Sequence, residues 1–498
     1  MGRKYKYCVD EYGKRHDYRA DSLIGQGGQG MVFRAKDPDH ALKFVFCSNS
    51  GDFSERLQAV RMLCLPDDLA VTLPIAELQP NQKACGYVMR LLSDMIPVSR
   101  LLWPHGGPYA AGSFPPWVQK RLDDQSMPQE VAELFRICTP QANLKLRLRV
   151  LARLAAILAR LQARGLVYCD ISPNNVFFSS DEKMEPVWLI DCDNLTLEQD
   201  SNTGCIFTPG FGAPELMRGT ADACNSMAAD TYSFAVLAFM TLALVHPFNG
   251  SAVANDQVDD WDAGAAGGAP GAWERALRGE LPWIEDTQGT NSGSQFGIPR
   301  ELVLTDELRT LFQNTFRQRA DHPQQRTQMW QWAPALARAE DMLLECPGCG
   351  MAYYYNNPFR SCPYCDAPEP PYVLLETYPW KGAGTCAGAI PRRSVCQLPR
   401  EGDASLLARQ LGALGIRLRD KACLNFTIDA AGNVVCMPRL SSRQELYVYP
   451  GPGTAGQRLA NVTRNYLKPG PGPLYLASRL EENRAHITRC TLVNPQAQ

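Results

Sequence analysis

At 498 residues the chain exceeds what one hydrophobic core usually serves, so about two to four domains are expected. Its 52 acidic and 50 basic residues nearly balance and are mixed along the chain, which excludes an overall electrostatic footprint for nucleic acid or an anionic membrane surface. The longest apolar run, Phe234 to Val245, falls well short of the roughly 20 residues that span a bilayer and reads as a buried helix.

The N-terminus, MGRKYKYC, lacks the apolar core and small-residue cleavage site of a secretory signal. Lys6 stands where a lipidation signal beginning at Gly2 would need Ser or Thr, so a cytoplasmic location is expected. Residues 1–92 alternate short apolar runs with turn signals (YRADSLIGQGG, GMVFRAKD, ALKFVF, AVTLPIAELQ, ACGYVMRLL), which predicts a small strand-rich unit. One helix should interrupt it from about Ser54 to Leu65, with Leu57, Val60, Leu63 and Cys64 on one face. Residues 93–143 are rich in Pro and Gly with little periodicity, so an insertion or long connection is expected. From Leu144, the positions Leu148, Leu151, Leu154, Leu158 and Leu161 keep helical spacing, with Arg147, Arg153, Arg160 and Arg164 expected to face outward. Gly165 ends that helix. Short strands follow around GLVYCDISPNNVFF and VWLIDCD, and helices then dominate to about residue 340, broken by a Gly/Ala-rich loop near 250–297. Beyond Cys346 a cysteine module precedes strand-like segments such as NFTIDAAGNVVCMP and QELYVYPG, cut by Gly and Pro.

Gly25, Gly27 and Gly30 in LIGQGGQGMVF form a GxGxxG between two predicted strands. A dinucleotide fold would place this motif between a strand and a helix, so the context favours a hairpin lid over phosphates, with Val32 facing an adenine ring. Lys43 lies in the middle of an apolar strand, where an ammonium needs a partner. Glu55, the only acid on the following predicted helix, is the expected one, aiming Lys43 at the phosphates. Asp170 and Asn175 are separated by Pro173, which bars a helix between them. Their spacing suits a carboxylate that accepts a hydroxyl proton and an amide oxygen that coordinates Mg²⁺. Asp191 closes an apolar strand in LIDCD, where a carboxylate can bridge a metal to nucleotide phosphates.

Taken in order, these residues resemble the signature of the eukaryotic-type protein kinase family, over about residues 18–335. The resemblance implies an α+β, bilobal kinase-like fold, with a β-rich N-lobe over residues 1–92 and a helical C-lobe with insertions over 93–340. It implies ATP with Mg²⁺ or Mn²⁺, and transfer of the γ-phosphoryl group to Ser/Thr hydroxyls of a protein substrate. Carried across, Lys43 would contact the α- and β-phosphates, Asp170 would be the catalytic base, and Asn175 and Asp191 would hold Mg²⁺. Met89 would sit beside the adenine pocket, with Arg90, Leu91 and Leu92 as the hinge. Thr208, in TPGFGAPEL, would lie in the substrate-facing loop closed by Ala213, Pro214 and Glu215. Asp230 would hold the catalytic-loop backbone, and Arg326 would pair with Glu215.

The chain also departs from the pattern. Tyr168 and Cys169 replace the His-Arg before the catalytic aspartate, so that no arginine there can grip a phosphate on the activation loop, although Ser201 and Thr203 are available. Ser172 replaces a lysine two residues after Asp170, and Asp193 replaces a glycine, adding a carboxylate near the metals. A nucleotide-binding pseudokinase scaffold and a small-molecule kinase are therefore the alternatives. The Ala-Pro-Glu segment argues against the second.

Of the 18 cysteines, Cys47, Cys64, Cys138 and Cys224 stand singly in apolar contexts, as reduced core thiols do. Cys346, Cys349, Cys362 and Cys365 instead form C-x2-C-x12-C-x2-C, two knuckles presenting four thiolates to one structural Zn²⁺. This predicts a zinc ribbon over residues 341–370, with Tyr353, Tyr354 and Tyr355 supplying its apolar packing. A β-rich module of unknown role would fill 371–498 and could select a protein substrate or signalling partner. The combination loosely resembles bacterial signalling kinases of stress-response gene clusters.

Overall fold

The structure is a computed structural model and describes residues 5–27, 30–46, 50–79, 85–102, 114–136, 142–179, 187–198, 205–219, 223–259, 270–286, 289–293, 296–317, 322–380, 390–399, 402–411, 422–428, 434–438, 446–449, 457–458, 465–467, 474–478 and 485–494. Cys47, Cys138, Ser201 and Thr203 lie outside the described residues.

Alternating apolar residues in the N-terminal region form strands β1 (Tyr5–Val9), β2 (Arg15–Gly27), β3 (Gly30–Ala35), β4 (His40–Val45), β5 (Pro74–Glu77) and β6 (Cys85–Arg90). They make one sheet in the order β1-β2-β3-β4-β6-β5. Helix α1 (Ser50–Arg61) packs Phe53, Leu57 and Val60 inward. It begins and ends earlier than predicted, and Cys64 beyond its end is exposed rather than a core thiol. Cys85 is disulfide-bonded, which departs from the expectation of reduced single cysteines.

The middle of the chain is helical. After the short strand β7 (Ile96–Pro97) come α2 (Pro116–Asp123) and α3 (Gln129–Phe135), in a stretch that had no clear period. Pro116 occupies the first helical position of α2, where its missing N–H would have no partner in any case. Helix α4 (Leu144–Gln162) is capped by the Asn143 side chain, which accepts from the N–H groups of Lys145 and Leu146. Gly165, at φ +77°, turns the chain out of it. Arg147 does not face outward as expected: it is buried, and its guanidinium donates to the carbonyls of Ala142, Leu101 and Thr241. Those carbonyls satisfy a charge that water would otherwise have to solvate.

Strands β8 (Leu166–Val167), β9 (Val176–Phe178), β10 (Val187–Leu189) and β11 (Thr196–Leu197) follow, then α5 (Pro214–Arg218), α6 (Met227–Ala243), α7 (Ser251–Asp259), α8 (Ala272–Leu277), α9 (Arg300–Val303), α10 (Asp306–Arg317) and α11 (Met329–Asp341). The apolar α6 is buried nearly throughout and packs against α4, α9 and α10. Among the described residues no helix is long and apolar enough to cross a membrane.

Two further strands, β12 (Leu343–Glu345) and β13 (Ala352–Tyr354), pair around the first cysteine knuckle. The C-terminal strands are β14 (Tyr372–Trp380), β15 (Arg392–Gln397), β16 (Asp403–Leu407), β17 (Ala422–Ile428), β18 (Val434–Pro438), β19 (Leu446–Tyr449), β20 (Gln457–Arg458), β21 (Asn465–Leu467), β22 (Leu474–Ser478) and β23 (Ala485–Val493). They form a six-stranded sheet, β15-β14-β23-β22-β19-β20, and a four-stranded one, β16-β17-β18-β21. Leu375, Leu476 and Cys490 of the first share an apolar core with Leu424, Phe426 and Cys436 of the second. The chain is thus a mixed α+β structure with sheet-rich parts at both ends and helices between.

Candidate active site

A cleft of about 740 Å³ opens between the N-terminal sheet and the helical part. Gly25, Gly30, Val32, Lys43, Met89, Leu91, Asp170, Asn175, Asp191 and Thr208 all line it. Its roof is the β2–β3 hairpin, in which Gly25 pairs with Val32 and Gly27 with Gly30. Gly30 has a steric reason to be glycine, since a Cβ there would lie 2.0 Å from the Phe44 carbonyl oxygen.

Lys43 sits centrally in the sheet, paired with Val32 on one side and Tyr87 on the other, and its side chain is 3% exposed. Its ammonium lies 3.2 Å from Asp191 Oδ1 and 3.1 Å from Asp193 Oδ1. The expected partner is not there: Glu55 is exposed on α1. Burial works against the Lys43 ammonium, but the carboxylates of Asp193 and Asp191 outweigh it and raise its pKa. Burial likewise pushes the Asp191 carboxyl up, with the Lys43 ammonium opposing the rise and the Asp193 carboxylate adding to it.

The loop carrying Asp170 is held from below. Asp230, in the first turn of α6, accepts from the backbone N–H groups of Tyr168 at 2.6 Å and Cys169 at 3.0 Å. These bonds fix Cys169 at φ +78°, a conformation that a side-chain-bearing residue holds only when its surroundings impose it. Burial pushes the Asp230 carboxyl up to about 7, against the pull of those two N–H donors. Tyr168, where the family pattern has histidine, is fully buried and donates its hydroxyl to the Ile190 carbonyl.

The Asn175 amide nitrogen donates to the Asp170 carbonyl and to Asp170 Oδ2, each at 3.0 Å, which leaves the amide oxygen for a cation. Thr208 donates its hydroxyl to Asp170 Oδ1 at 2.6 Å, tying the segment after residue 205 to the loop. The amide oxygen of Asn175 and the carboxylate of Asp191 are hard oxygen donors of the kind Mg²⁺ takes. Asp191 itself is left-handed, φ 52° and ψ 44°, which bends the chain from β10 into the short turn Cys192–Asn194. Outside the cleft, Arg326 makes a two-pronged contact to Glu215, 2.7 Å to each carboxylate oxygen. Ser172 is buried yet lines the cleft, so no ammonium stands beside Asp170 at that position.

Reasoning from sequence missed that Asp193 shares Lys43 and that Tyr87 donates its hydroxyl to the same Asp193 oxygen at 3.0 Å. The available signal was the replacement of a glycine by an acid at 193.

The second cluster is local. The sulfurs of Cys346, Cys349, Cys362 and Cys365 all lie within 4.8 Å of one another, with Cys346–Cys365 at 3.5 Å and Cys349–Cys362 at 3.6 Å. Tetrahedral Zn²⁺ with bonds of about 2.3 Å needs sulfurs about 3.8 Å apart, so the donor set fits that ion. The two knuckles repeat one backbone pattern: Cys346 N–H to the Met351 carbonyl and Gly350 N–H back to the Cys346 carbonyl, then Cys362 to Ala367 and Asp366 to Cys362. Tyr364 packs on Trp117 and Phe135, and Arg121 donates to the carbonyls of Tyr364 and Pro363, fastening this unit to α2 and α3. Tyr353 and Tyr354 are buried, the latter donating to the Val303 carbonyl.

No family model matches the chain. Weak, partial similarity nevertheless links it to Ser/Thr protein kinases. Serine/threonine-protein kinase D3 of Mus musculus is 26% identical over 113 residues, which cover 22% of this chain and 12% of that protein. Serine/threonine-protein kinase D2 of Rattus norvegicus is 22% identical over 156 residues, 31% of this chain and 17% of that protein. Serine/threonine-protein kinase dkf-2 of Caenorhabditis briggsae is 26% identical over 113 residues and is covered over 9% of its length. The chain thus spans less than a fifth of the length of each of these relatives, and what it shares with them is a distant likeness to part of a Ser/Thr kinase.

Proposed function

We propose that the chain is an ATP- and Mg²⁺-dependent protein kinase, with residues 1–92 and 93–340 as the two lobes of a kinase fold, that transfers the γ-phosphoryl group to Ser or Thr hydroxyls of a protein substrate. One observation carries this reading: Lys43, Asp170, Asn175 and Asp191, far apart in the chain, meet in one cleft under a glycine hairpin. Asn175 and Asp191 would hold Mg²⁺, which supplies neutralisation of phosphate charge when bound. Lys43 binds the phosphates of the nucleotide, and Val32, Met89 and Leu91 provide apolar contact for its base. Asp170 orients the acceptor hydroxyl and takes its proton, helped by the fixed loop above Asp230. Alignment and electrostatics, not a covalent intermediate, would lower the barrier. Cys346, Cys349, Cys362 and Cys365 would hold a structural Zn²⁺ with no open position for chemistry. A cytoplasmic location, a place in bacterial signalling and a partner-selecting role for residues 371–498 belong to the same proposal.

Incubation of the purified protein with ATP, Mg²⁺ and a generic protein substrate, beside Asp191→Asn, tests it. Transfer that disappears in the variant is the expected result. A second reading, a nucleotide-binding pseudokinase, is favoured by Ser172 and by the two carboxylates on Lys43. Nucleotide binding without transfer to any acceptor would select it.

A further inference from the structure

The buried groups around Lys43 divide into two kinds. Asp191 is 22% exposed along its side chain and lines the cleft. Asp193 is 2% exposed and is not among the residues that line it. Its Oδ1 is the acceptor for two donors, Lys43 Nζ at 3.1 Å and Tyr87 Oη at 3.0 Å. Tyr87 is itself buried and is the cross-strand neighbour of Lys43, so the sheet register sets both donors side by side. A buried carboxylate with an ammonium and a hydroxyl on one oxygen is a fixed counter-ion, not a mobile one.

We infer that Asp193, oriented by Tyr87, is the positioning residue for Lys43 in this chain, in the place expected for Glu55, and that it leaves the Asp191 carboxylate to a divalent cation. The inference rests on the proposed kinase reading. The charges support it: one ammonium beside two carboxylates leaves one negative charge over, and the one facing the cleft is Asp191. Its counter-ion is carried by the turn that immediately follows Asp191, and α1 packs against that turn rather than supplying the carboxylate itself.

Two measurements on the full chain test this. The first is melting of Lys43→Met, Asp193→Asn, their double variant, and Lys43→Met combined with Glu55→Gln. Lys43→Met strands a buried carboxylate, so adding Asp193→Asn should raise the melting temperature above that of Lys43→Met by about 2 °C or more. Adding Glu55→Gln should not. Strictly additive shifts for Lys43→Met and Asp193→Asn would overturn the pairing. The second is transfer from ATP across a Mg²⁺ titration. In Asp193→Asn, Lys43 has only Asp191 to pair with and competes for it, so half-maximal Mg²⁺ should rise about tenfold, while Glu55→Gln stays within about twofold of wild type. An unchanged Mg²⁺ requirement in Asp193→Asn, or faster transfer, would overturn the role, the latter making Asp193 an inhibitory clamp. A wild-type protein that neither binds nor transfers nucleotide would remove the proposed activity instead, and the melting cycle would still decide the pairing of Lys43.

Discussion

The cleft and the cysteine cluster each gather four chemically active side chains, but by opposite routes. Cys346 and Cys365 are 19 positions apart, and two copies of one turn bring the sulfurs together. Lys43 and Asp193 are 150 positions apart, and nothing local joins them. Their meeting requires the N-terminal sheet and the buried turn after β10 to be in register at once. A local site is therefore read from spacing alone, while a distant one is read only as an order of motifs whose partners are settled by packing.

The strongest way to probe this contrast is to remove the metal from the local site. Metal analysis after mild purification should find about one zinc per chain, and well-folded protein without it would show that the four thiols hold no structural metal. Chelation, or Cys362→Ser, should unfold residues 341–370 and raise amide hydrogen exchange in α2 and α3, which contact the ribbon through Arg121, Trp117 and Phe135. The N-terminal sheet should keep its protection. Loss of protection there as well would mean that the two regions are one cooperative unit.

Next in size is the pair that closes the helical part. Arg326 is 1% exposed on its side chain, so Glu215→Gln leaves a buried guanidinium without its paired carboxylate. A loss of about 3 kcal/mol in denaturant unfolding is expected. A loss under about 1 kcal/mol would show that other acceptors, such as the Ala228 carbonyl, suffice.

Asp230 gives a pH signature. Its carboxyl is raised from 3.8 to about 7 in the folded chain, so between those values the folded state binds more protons than the unfolded one. Its contribution to stability is therefore full below about 4 and is lost as pH rises towards 7, by up to about 1.4 kcal/mol per pH unit. Asp230→Asn should flatten that decline in urea unfolding measured across the window. An unchanged slope would mean that the two N–H donors hold the carboxylate ionised throughout. The smallest effect belongs to the surface: Arg338→Ala, which breaks a half-exposed pair with Glu307, should cost less than about 1 kcal/mol in the same assay.

Legibility followed the same division. Helix α4 was visible because its leucines repeat on one face and Gly165 follows, both local properties. The cysteine knuckles were visible from two short spacings. Arg147 was misread because a helix period says which face a residue is on, not that carbonyls from residues 101 and 241 wait there. Helices α2 and α3 were missed because proline was taken as a breaker, whereas Pro116 starts a helix. Glu55 was chosen as the only acid on its helix, but in the fold that position faces water.

The C-terminal region repeats the point. Its segment NFTIDAAGNVVCMP reads as strand-like and cut by Gly, and β17 and β18 pair there. That β14 pairs with β23, closing the sheet across more than a hundred positions, left no mark in either segment.

The amino-acid sequence by itself determined which side chains could do chemistry, their order along the chain, the amphipathic helices and the two cysteine knuckles, because propensity, periodicity and short loops act over a few residues. Only the tertiary structure decided who pairs with whom: Asp193 with Lys43, Asp230 with the loop before Asp170, Arg147 with three carbonyls. The reason is desolvation. A buried charge must find a partner wherever packing places one, and that choice depends on distances between segments that are fixed only once the whole core has closed.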